Sequence, residues 1–428
     1  MQSNSSASSL EHGLHDHNIN LRAGESASIL TLNGGSSSIR FALYDANEPP
    51  KRRLVGKVER VGLSDASLTF KEASGQQQVG PAIATADVRS TVGILLDWLD
   101  ARTKLASLRA VGHRIVNGMM RSSPERITAD LLNELKRISP YDPDHLVLEI
   151  QLIEEIRKRC PNLPQVACFD TAFHRTMPRV ASLLPIPRRY DAIGIRRFGF
   201  HGLSYEFLKD ELVRLGDSAA TNGRVILAHL GSGASLAAIR EGKSIDTTMG
   251  FTPAGGLVMG TRSGDLDPGL ASYLASAEQM SQVEFLEMVN HSSGLLGLSE
   301  TSSDMRELLA VESEDVRAAE AIALFIYQVK KGIGAFAAAL GGLDTLVFAG
   351  GIGENAPIVR ARICEGLEFL GVEIDRDKNA SGLGLISRKS SRVAVHVIHT
   401  DEERMIVETV LRILGPETLA NGKRSTRL

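Results

Sequence analysis

Two stretches of the chain, ILTLNGGSSSIRFAL from Ile29 and ILAHLGSGASLAAI from Ile226, share one plan: an apolar β-favouring run, a Gly/Ser turn and a second apolar run. Each unit is followed by further strand and helix patterns. The first continues through RLVGKVERVG, SLTFKE, the amphipathic VRSTVGILLDWLDARTKLASL, the strand-like Ala110 to Gly118, a helical stretch from Asp130 to Lys158, and a buried strand over Gln165 to His174 that ends in a polar turn. The second continues through a third strand near Gly250, the helical EFLEMVNHSSG and DVRAAEAIALFIYQVKKGIGAFAAAL, the strand Leu343 to Gly350 and the loop GIGENAP. A duplicated unit of this kind confines the chain to two similar α/β halves. Their Gly/Ser turns then suit facing walls of one cleft, a common place for ligands.

Length and charge narrow the function classes. At 428 residues the chain is too long for one ordinary core. Its 48 Lys+Arg against 51 Asp+Glu leave a net charge of −3, so no overall positive field exists to hold nucleic acid or an anionic membrane. Cys160, Cys168 and Cys364 are too few for a disulfide framework and suit a reducing, cytoplasmic compartment. The uncharged stretch Gly332 to Leu343 is shorter than the ~20 residues a membrane span needs and reads as a buried helix. Residues 1–27 are polar, without a secretory h-region, and read as a loose tail in which His12, His15 and His17 are solvated.

Three loops can meet phosphate. Asn33 to Arg40 offers small residues whose amides and hydroxyls surround anionic oxygens, with Arg40 to neutralise charge, although a plain polar hairpin reads equally well. His229-Leu230-Gly231-Ser232-Gly233-Ala234-Ser235 is similar in kind, and Gly350-Gly351-Ile352-Gly353-Glu354-Asn355 follows an apolar strand. No P-loop is present, because the glycine required five residues before Gly242-Lys243-Ser244 is Ala237, and no G-x-G-x-x-G opens a helix. Asn33, Asp170 and Glu402 are oxygen donors of the type Mg²⁺ accepts beside phosphates; taken singly, each also suits a cap or turn. Arg114 and Arg262 suit a cleft wall facing a carboxylate or a phosphoryl group, or alternatively surface ion pairs; His201 suits a phosphoryl donor or a satisfied core histidine.

Together the strings NGGSSSIRF, GHRIVNG, FDTAFH, RRFGFHG, HLGSGAS, DTTMGFTPAGGLVMGTRSGDLDP, SSDMR, FAGGIGENAP and TDEE resemble the acetate kinase family of the acetate and sugar kinase/Hsc70/actin superfamily, from about Ile29 to about Val410. The resemblance implies an α/β fold of two actin-like (ribonuclease H-like) lobes, of duplicated βββαβαβα plan, around a central nucleotide cleft. Lobe I is expected over 28–172 plus 404–428 and lobe II over 173–403. It implies reversible phosphoryl transfer between ATP and acetate, a Mg²⁺ (or Mn²⁺) requirement and a homodimer. By matching, Asn33 and Glu402 belong to the metal site, Arg40 to the nucleotide phosphates and Arg114 to the substrate carboxylate, while Arg262 and His201 stabilise the transferring group and Asp170 is the catalytic aspartate. Nucleotide contacts fall on His229, Leu230, Gly231, Ser232, Gly233, Asp304, Met305, Arg306, Gly351, Ile352, Gly353, Glu354 and Asn355, and the alkyl pocket on Val116, Tyr141, Phe200 and Pro253.

The chain departs from the family pattern where Asn117 stands in V-V-H-G, and where Pro140-Tyr141-Asp142-Pro143 is one residue shorter than P-L-H-N-P. Ser232, Leu203, Tyr205 and Gly255 also differ from the usual residues. None of these positions removes a matched charge. A carboxylate acceptor is already ionised near pH 7, so Asp170 is expected to organise metal or water rather than to take a proton. A propionate or other short-chain acyl kinase is the near alternative, and a nucleotide-binding regulator without turnover the remote one.

Overall fold

The computed structural model of the protein describes residues 28–420 except 36, 37, 47, 48, 74, 86 and 383, with backbone only for 416–420. The first sheet contains β1 (Ser28–Gly34), β2 (Ser38–Asp45), β3 (Lys51–Glu59), β4 (Ser67–Glu72), β5 (Gln78–Val79), β6 (Ala110–Ile115), β7 (Glu125–Arg126) and β8 (Gln165–Phe169), in the spatial order 5-4-3-2-1-6-8-7. The second contains β9 (Arg224–Leu230), β10 (Ala234–Arg240), β11 (Lys243–Thr247), β12 (Thr345–Ala349), β13 (Gly384–Leu385) and β14 (Ala394–Val397), ordered 11-10-9-12-14-13. Five strands of each sheet correspond in topology: 3-2-1-6-8 matches 11-10-9-12-14. In both, the first three strands form an antiparallel meander and the last two run parallel to the first. The expected duplication therefore extends to strand order and direction.

Helices cover the sheets. In α1 (Val88–Thr103), Asp87 caps the N-terminus by accepting from Ser90 N, and Trp98 packs edge-on against Phe41 and Phe70. The stretch expected as one helix over 130–158 is two, α2 (Ala129–Ile138) and α3 (Pro143–Arg159), because Pro140 and Pro143 cannot donate into a continuing ladder. The buried strand expected to end in a polar turn does so: β8 stops at Phe169, and the turn is a 3₁₀ helix over Asp170–Thr176. Further along lie α4 (Gly202–Arg214), α5 (Met305–Val311), α6 (Val316–Leu340), α7 (Gly350–Asn355) and α8 (Glu402–Ala420). The GIGENAP segment, expected as a loop, opens with the helix α7. By length and apolarity α6 could cross a membrane, but Ile322, Phe325, Val329 and Ile333 along it are completely buried against the second sheet, which makes it a core helix.

Helices α4 and α8 lie between the sheets. One apolar cluster joins Ile29, Ala110 and Val166 of the first sheet to Val225, Leu227 and Val347 of the second through Leu208, Leu212, Ile406 and Val410. Each such fully buried side chain contributes ~1.5–3 kcal/mol. Contact is close enough that a Cβ at Gly112 of β6 would stand 2.4 Å from Ile406 Cγ2. Among the described residues the chain passes between the sheets twice: after β8, through Asp170–Thr176, and after β14, into α8.

Candidate active site

The parallel strands β1, β6 and β8 end side by side, and their last residues form a charged cluster. Arg114, on β6, donates from Nε and Nη2 to Asp170 Oδ2 at 2.9 and 2.6 Å, and from Nη1 to Asn33 Oδ1 at 3.2 Å and to the Gly34 carbonyl at 3.3 Å. Asp170 is completely buried and its other oxygen accepts from Leu203 N at the start of α4. Burial pushes the Asp170 carboxyl above its ordinary range, with the Arg114 guanidinium opposing. A carboxylate so enclosed is tolerated because it is paired; stripping its partner leaves an uncompensated charge.

Asn33 continues the chain of contacts, donating from Nδ2 to Glu402 Oε2 at 2.8 Å and Glu403 Oε1 at 3.3 Å at the first turn of α8. Burial raises the Glu402 pKa, but the charges of Arg114 and Arg40, the adjoining His229 and the Asn33 hydrogen bond outweigh it and hold the carboxyl below its usual range. Its neighbour Glu403 is pushed up by burial and by the charge on Glu402. Deeper in α3, Glu149 accepts from Val116 N through both oxygens, and burial raises it well above the ordinary value.

From the second half come neutral groups. His201, at positive φ (+59°) before α4, is hydrogen-bonded through Nδ1 to Ser235 Oγ at 2.8 Å and stacks on His229 with centroids 4.3 Å apart. Burial, and then the neighbouring His229, Arg114 and Arg262, hold His201 well below its ordinary pKa, so the imidazole is neutral at pH 7. The turn between β9 and β10 brings Gly233 so close that a Cβ there would be 3.2 Å from His201 Nε2. At the end of β12, α7 opens with Gly350, whose amide donates to Glu354 Oε1; the same carboxylate accepts from Thr400 N and pairs with His399. Arg360 anchors α7 from behind. It is completely buried and donates to the carbonyls of Gly353 and Glu354 and to Asn379, so its charge is met by neutral oxygens.

Three contiguous cavities result. The main one, about 400 Å³, is lined by Asn33, Gly35, Ser38, Arg40, Arg114, His201, His229, Gly231, Ser232, Gly233, Gly350, Gly351, Glu354, Asn355, His399, Thr400 and Glu402. A second, about 180 Å³, adds Val116, His145, Phe200, Pro253 and Arg262. A third, about 410 Å³, is lined by Gly231, Ser232, Ser303, Asp304, Met305, Arg306, Gly351, Ile352, Asn355 and Ala356. Ser232 borders all three. Arg262 donates to the Pro253 carbonyl at 3.3 Å and meets His145 Nε2 at 3.4 Å, while His145 Nδ1 is 2.8 Å from Asp142. Among the described residues no group of three or more His, Cys, Asp or Glu could by itself hold a metal. An ionised Glu402 beside the Asn33 amide fits a cation that takes only one or two protein oxygens and completes its shell with phosphate and water.

The chain matches the family model described as the acetokinase family over residues 28–408. It belongs to the acetokinase family. It is 42% identical over 391 residues to the acetate kinase of Rhodopseudomonas palustris, covering 90% of this chain and 98% of that protein. Its identity to the propionate kinase of Citrobacter rodentium is 40% over 399 residues, covering 91% and 98%. The crystal structure of Porphyromonas gingivalis acetate kinase superimposes with a TM-score of 0.81 at 35% identity, covering 91% of this chain and all of that one. The protein is thus a kinase with the two-lobe actin-like fold.

Within this acetokinase fold the expected site residues fall into groups. Asn33, Arg40, Arg114, His201, His229, Gly231, Ser232, Gly233, Gly351, Glu354, Asn355 and Glu402 line the main cavity, Val116, Phe200, Pro253 and Arg262 the second, and Asp304, Met305, Arg306 and Ile352 the third. Asp170 stands behind Arg114 and lines none of the three, so it reaches the cavity through that guanidinium. Leu230 and Gly353 are buried behind the lining. Tyr141 is half-exposed, packs edge-on against Phe251 and is not among the residues that line the second cavity. Residue-level reading of the chain missed His145, Glu149, His399 and Thr400. Only the Asp142–His145 pair left a local signal, an acid three residues before a histidine at a helix start.

Proposed function

We propose that the protein catalyses reversible transfer of the γ-phosphoryl group of ATP to the carboxylate of acetate, giving acetyl phosphate and ADP. The observation that carries this reading is the common Ser232 border of three cavities of different chemistry. The third, with Met305 and Ile352, suits a base and ribose; the main one, with glycine amides, His229 and Arg40, suits the phosphates; the second, with Arg114 and Arg262 above Val116, Phe200 and Pro253, suits a short acid. In the transfer, an acetate oxygen forms a bond to the γ-phosphorus as the bond to the ADP oxygen breaks. Arg114 and Arg262 orient the two reactants and, with neutral His201, donate to the equatorial oxygens as charge spreads over them. Asp170 keeps Arg114 extended and charged. Asn33 and Glu402 would hold Mg²⁺, or Mn²⁺, which when bound neutralises phosphate charge. No protein group need take a proton, since the acceptor is already a carboxylate.

A propionate preference is the second reading, favoured by the propionate kinase relative and by the position of Tyr141, which leaves the alkyl end of the second cavity to Val116, Phe200 and Pro253. One methylene is worth only ~1–3 kcal/mol of discrimination. Trapping acyl phosphate as the hydroxamate with formate, acetate, propionate and butyrate decides between them. Highest kcat/KM for acetate supports the first reading and for propionate the second; ATP binding without turnover on any acid would leave a nucleotide-binding regulator.

The same reading divides the chain into lobe I, 28–172 with 404–428, and lobe II, 173–403, a division supported by the packing of α8 on β1 and β6. A homodimer is supported by the apolar helix Gly269–Ala277, none of whose residues is buried in the single chain. A cytoplasmic location is supported by the free state of Cys160, Cys168 and Cys364.

A further inference from the structure

Behind His201 lies a chain of hydroxyls that the transfer mechanism does not itself require. Tyr205, one turn into α4, is completely buried between Phe173 and His174, and its phenol meets Ser235 Oγ on β10; Ser235 Oγ in turn lies 2.8 Å from His201 Nδ1. Each hydroxyl has a single hydrogen, and burial pushes the Tyr205 phenol far above its ordinary pKa, so it is protonated. Among the described residues the only acceptor for that hydrogen is Ser235 Oγ. Were Nδ1 to carry the imidazole proton and donate to Ser235, one hydroxyl hydrogen would be left buried without an acceptor: the serine's own if Ser235 Oγ accepts from both neighbours, or the phenol's if the serine hydrogen turns back on Tyr205. That arrangement carries the full desolvation cost of an unmatched donor. Every group is satisfied only in the sense Tyr205 to Ser235 to His201 Nδ1.

We infer that Ser235, held by the Tyr205 phenol, is a positioning residue that fixes His201 as its Nε2–H tautomer, aiming a neutral hydrogen-bond donor at the phosphoryl oxygens. The aim follows from Gly233, whose missing side chain leaves Nε2 open to the cavity beside Arg262. With the opposite tautomer a lone pair would face those oxygens and repel them. The neighbouring His229 offers a contrast: its Nδ1 meets Ser204 Oγ and then Thr400 Oγ1, and Thr400 borders the main cavity, where water can take its hydrogen, so that relay has no fixed sense. The catalytic part of the inference rests on the phosphoryl-transfer reading; the tautomer does not.

The test compares the full-length protein with Ser235→Ala and Tyr205→Phe. Nitrogen-15 chemical shifts and long-range ¹H–¹⁵N couplings of His201 report its tautomer without any substrate. The unsubstituted protein is expected to be protonated at Nε2, and Ser235→Ala to gain Nδ1–H population, since nothing then donates to Nδ1. Tyr205→Phe should keep the Nε2–H tautomer, because Nδ1 remains the acceptor for the serine hydrogen. In the acyl phosphate assay kcat of Ser235→Ala should fall at least about tenfold, with the KM for ATP and for the acid changed less than about twofold. An Nδ1–H tautomer in the unsubstituted protein, or a Ser235→Ala protein with the tautomer unmoved, overturns the relay. A moved tautomer with kcat intact overturns its catalytic role. The expected tautomers in a protein that phosphorylates no acid would keep the relay and sink the functional reading instead. Should Ser235→Ala unfold, the unsubstituted and Tyr205→Phe proteins still decide, since an Nδ1–H form in either overturns the relay.

Discussion

The two halves share strand order and direction, yet they furnish the cleft with different chemistry. At the ends of β1, β6 and β8 stand an amide, a guanidinium and a carboxylate, Asn33, Arg114 and Asp170, tied to one another and to Glu402 by hydrogen bonds of 2.6 to 3.2 Å. At the corresponding ends of β9 and β12 stand the Gly231–Gly233 turn and Gly350, offering amides and open space, with His229 held toward its neutral form by burial. Ligands of open α/β sheets gather at the carboxyl ends of parallel strands, and duplication supplies two such edges. Topology therefore chose the place, while the terminal residues of the strands chose the chemistry. The first half brings most of the charge and the second most of the open backbone.

The largest expected effect separates two arginines. Arg114→Ala should lower kcat/KM by ~10³ or more and, because Asp170 is left buried and unpaired, cost ~3–5 kcal/mol in urea denaturation. Arg262→Ala should lose activity to a similar degree with little loss of stability, since it is held by a carbonyl, a thioether and an imidazole rather than by a carboxylate. Equal destabilisation of both would show that charge in the first half is not a special structural commitment. On the backbone side, Gly350 has φ +77° and a Cβ there would meet Leu230 O at 2.7 Å. Gly350→Ala should therefore cost ~1–3 kcal/mol and raise the KM for ATP about tenfold, leaving the KM for the acid within about twofold. A matching rise in both constants would break the division of labour.

Acid should act on both halves. His113 on β6, hydrogen-bonded to Gln165, and His174 in the 170–176 turn are both lowered to about 4 by burial, and His201 and His229 are lowered by burial as well. Because the folded values lie below the unfolded one of ~6.5, the unfolded chain binds protons first; stability is full above pH ~6.5 and falls as the pH drops toward 4, by about 3 kcal/mol each for His113 and His174. Urea midpoints across that window measure the slope, and His113→Gln should lower it by one histidine's share. The smallest effect belongs to Tyr141→Leu. With its ring half-exposed, the change should move stability by less than ~0.5 kcal/mol and the KM for acetate or propionate less than about twofold.

The strands and turns of both halves were legible because alternation of apolar runs with Gly/Ser is local, and β1 and β9 begin and end within a residue or two of the reading. The 130–158 stretch misled because helical periodicity on either side of Pro140–Pro143 stays in phase, while proline acts on the backbone rather than on the pattern. Matched motifs brought most of the cleft lining, but not Tyr141, whose direction depends on the shortened turn and on Phe251 far along the chain. The hydroxyl relay and the Arg262–His145 contact were illegible for a related reason. They join residues 30 to 117 positions apart, and no spacing rule reaches across two sheets.

The two passages of chain between the sheets begin at Asp170 and end at Glu402, so any rotation of one half against the other would turn beside two buried acids of the candidate site. A swing of the halves would twist the backbone directly beneath both side chains. Opening and closing of the cleft would then be read out electrically, as a change in how firmly Arg114 and Asn33 are gripped, before any ligand had left.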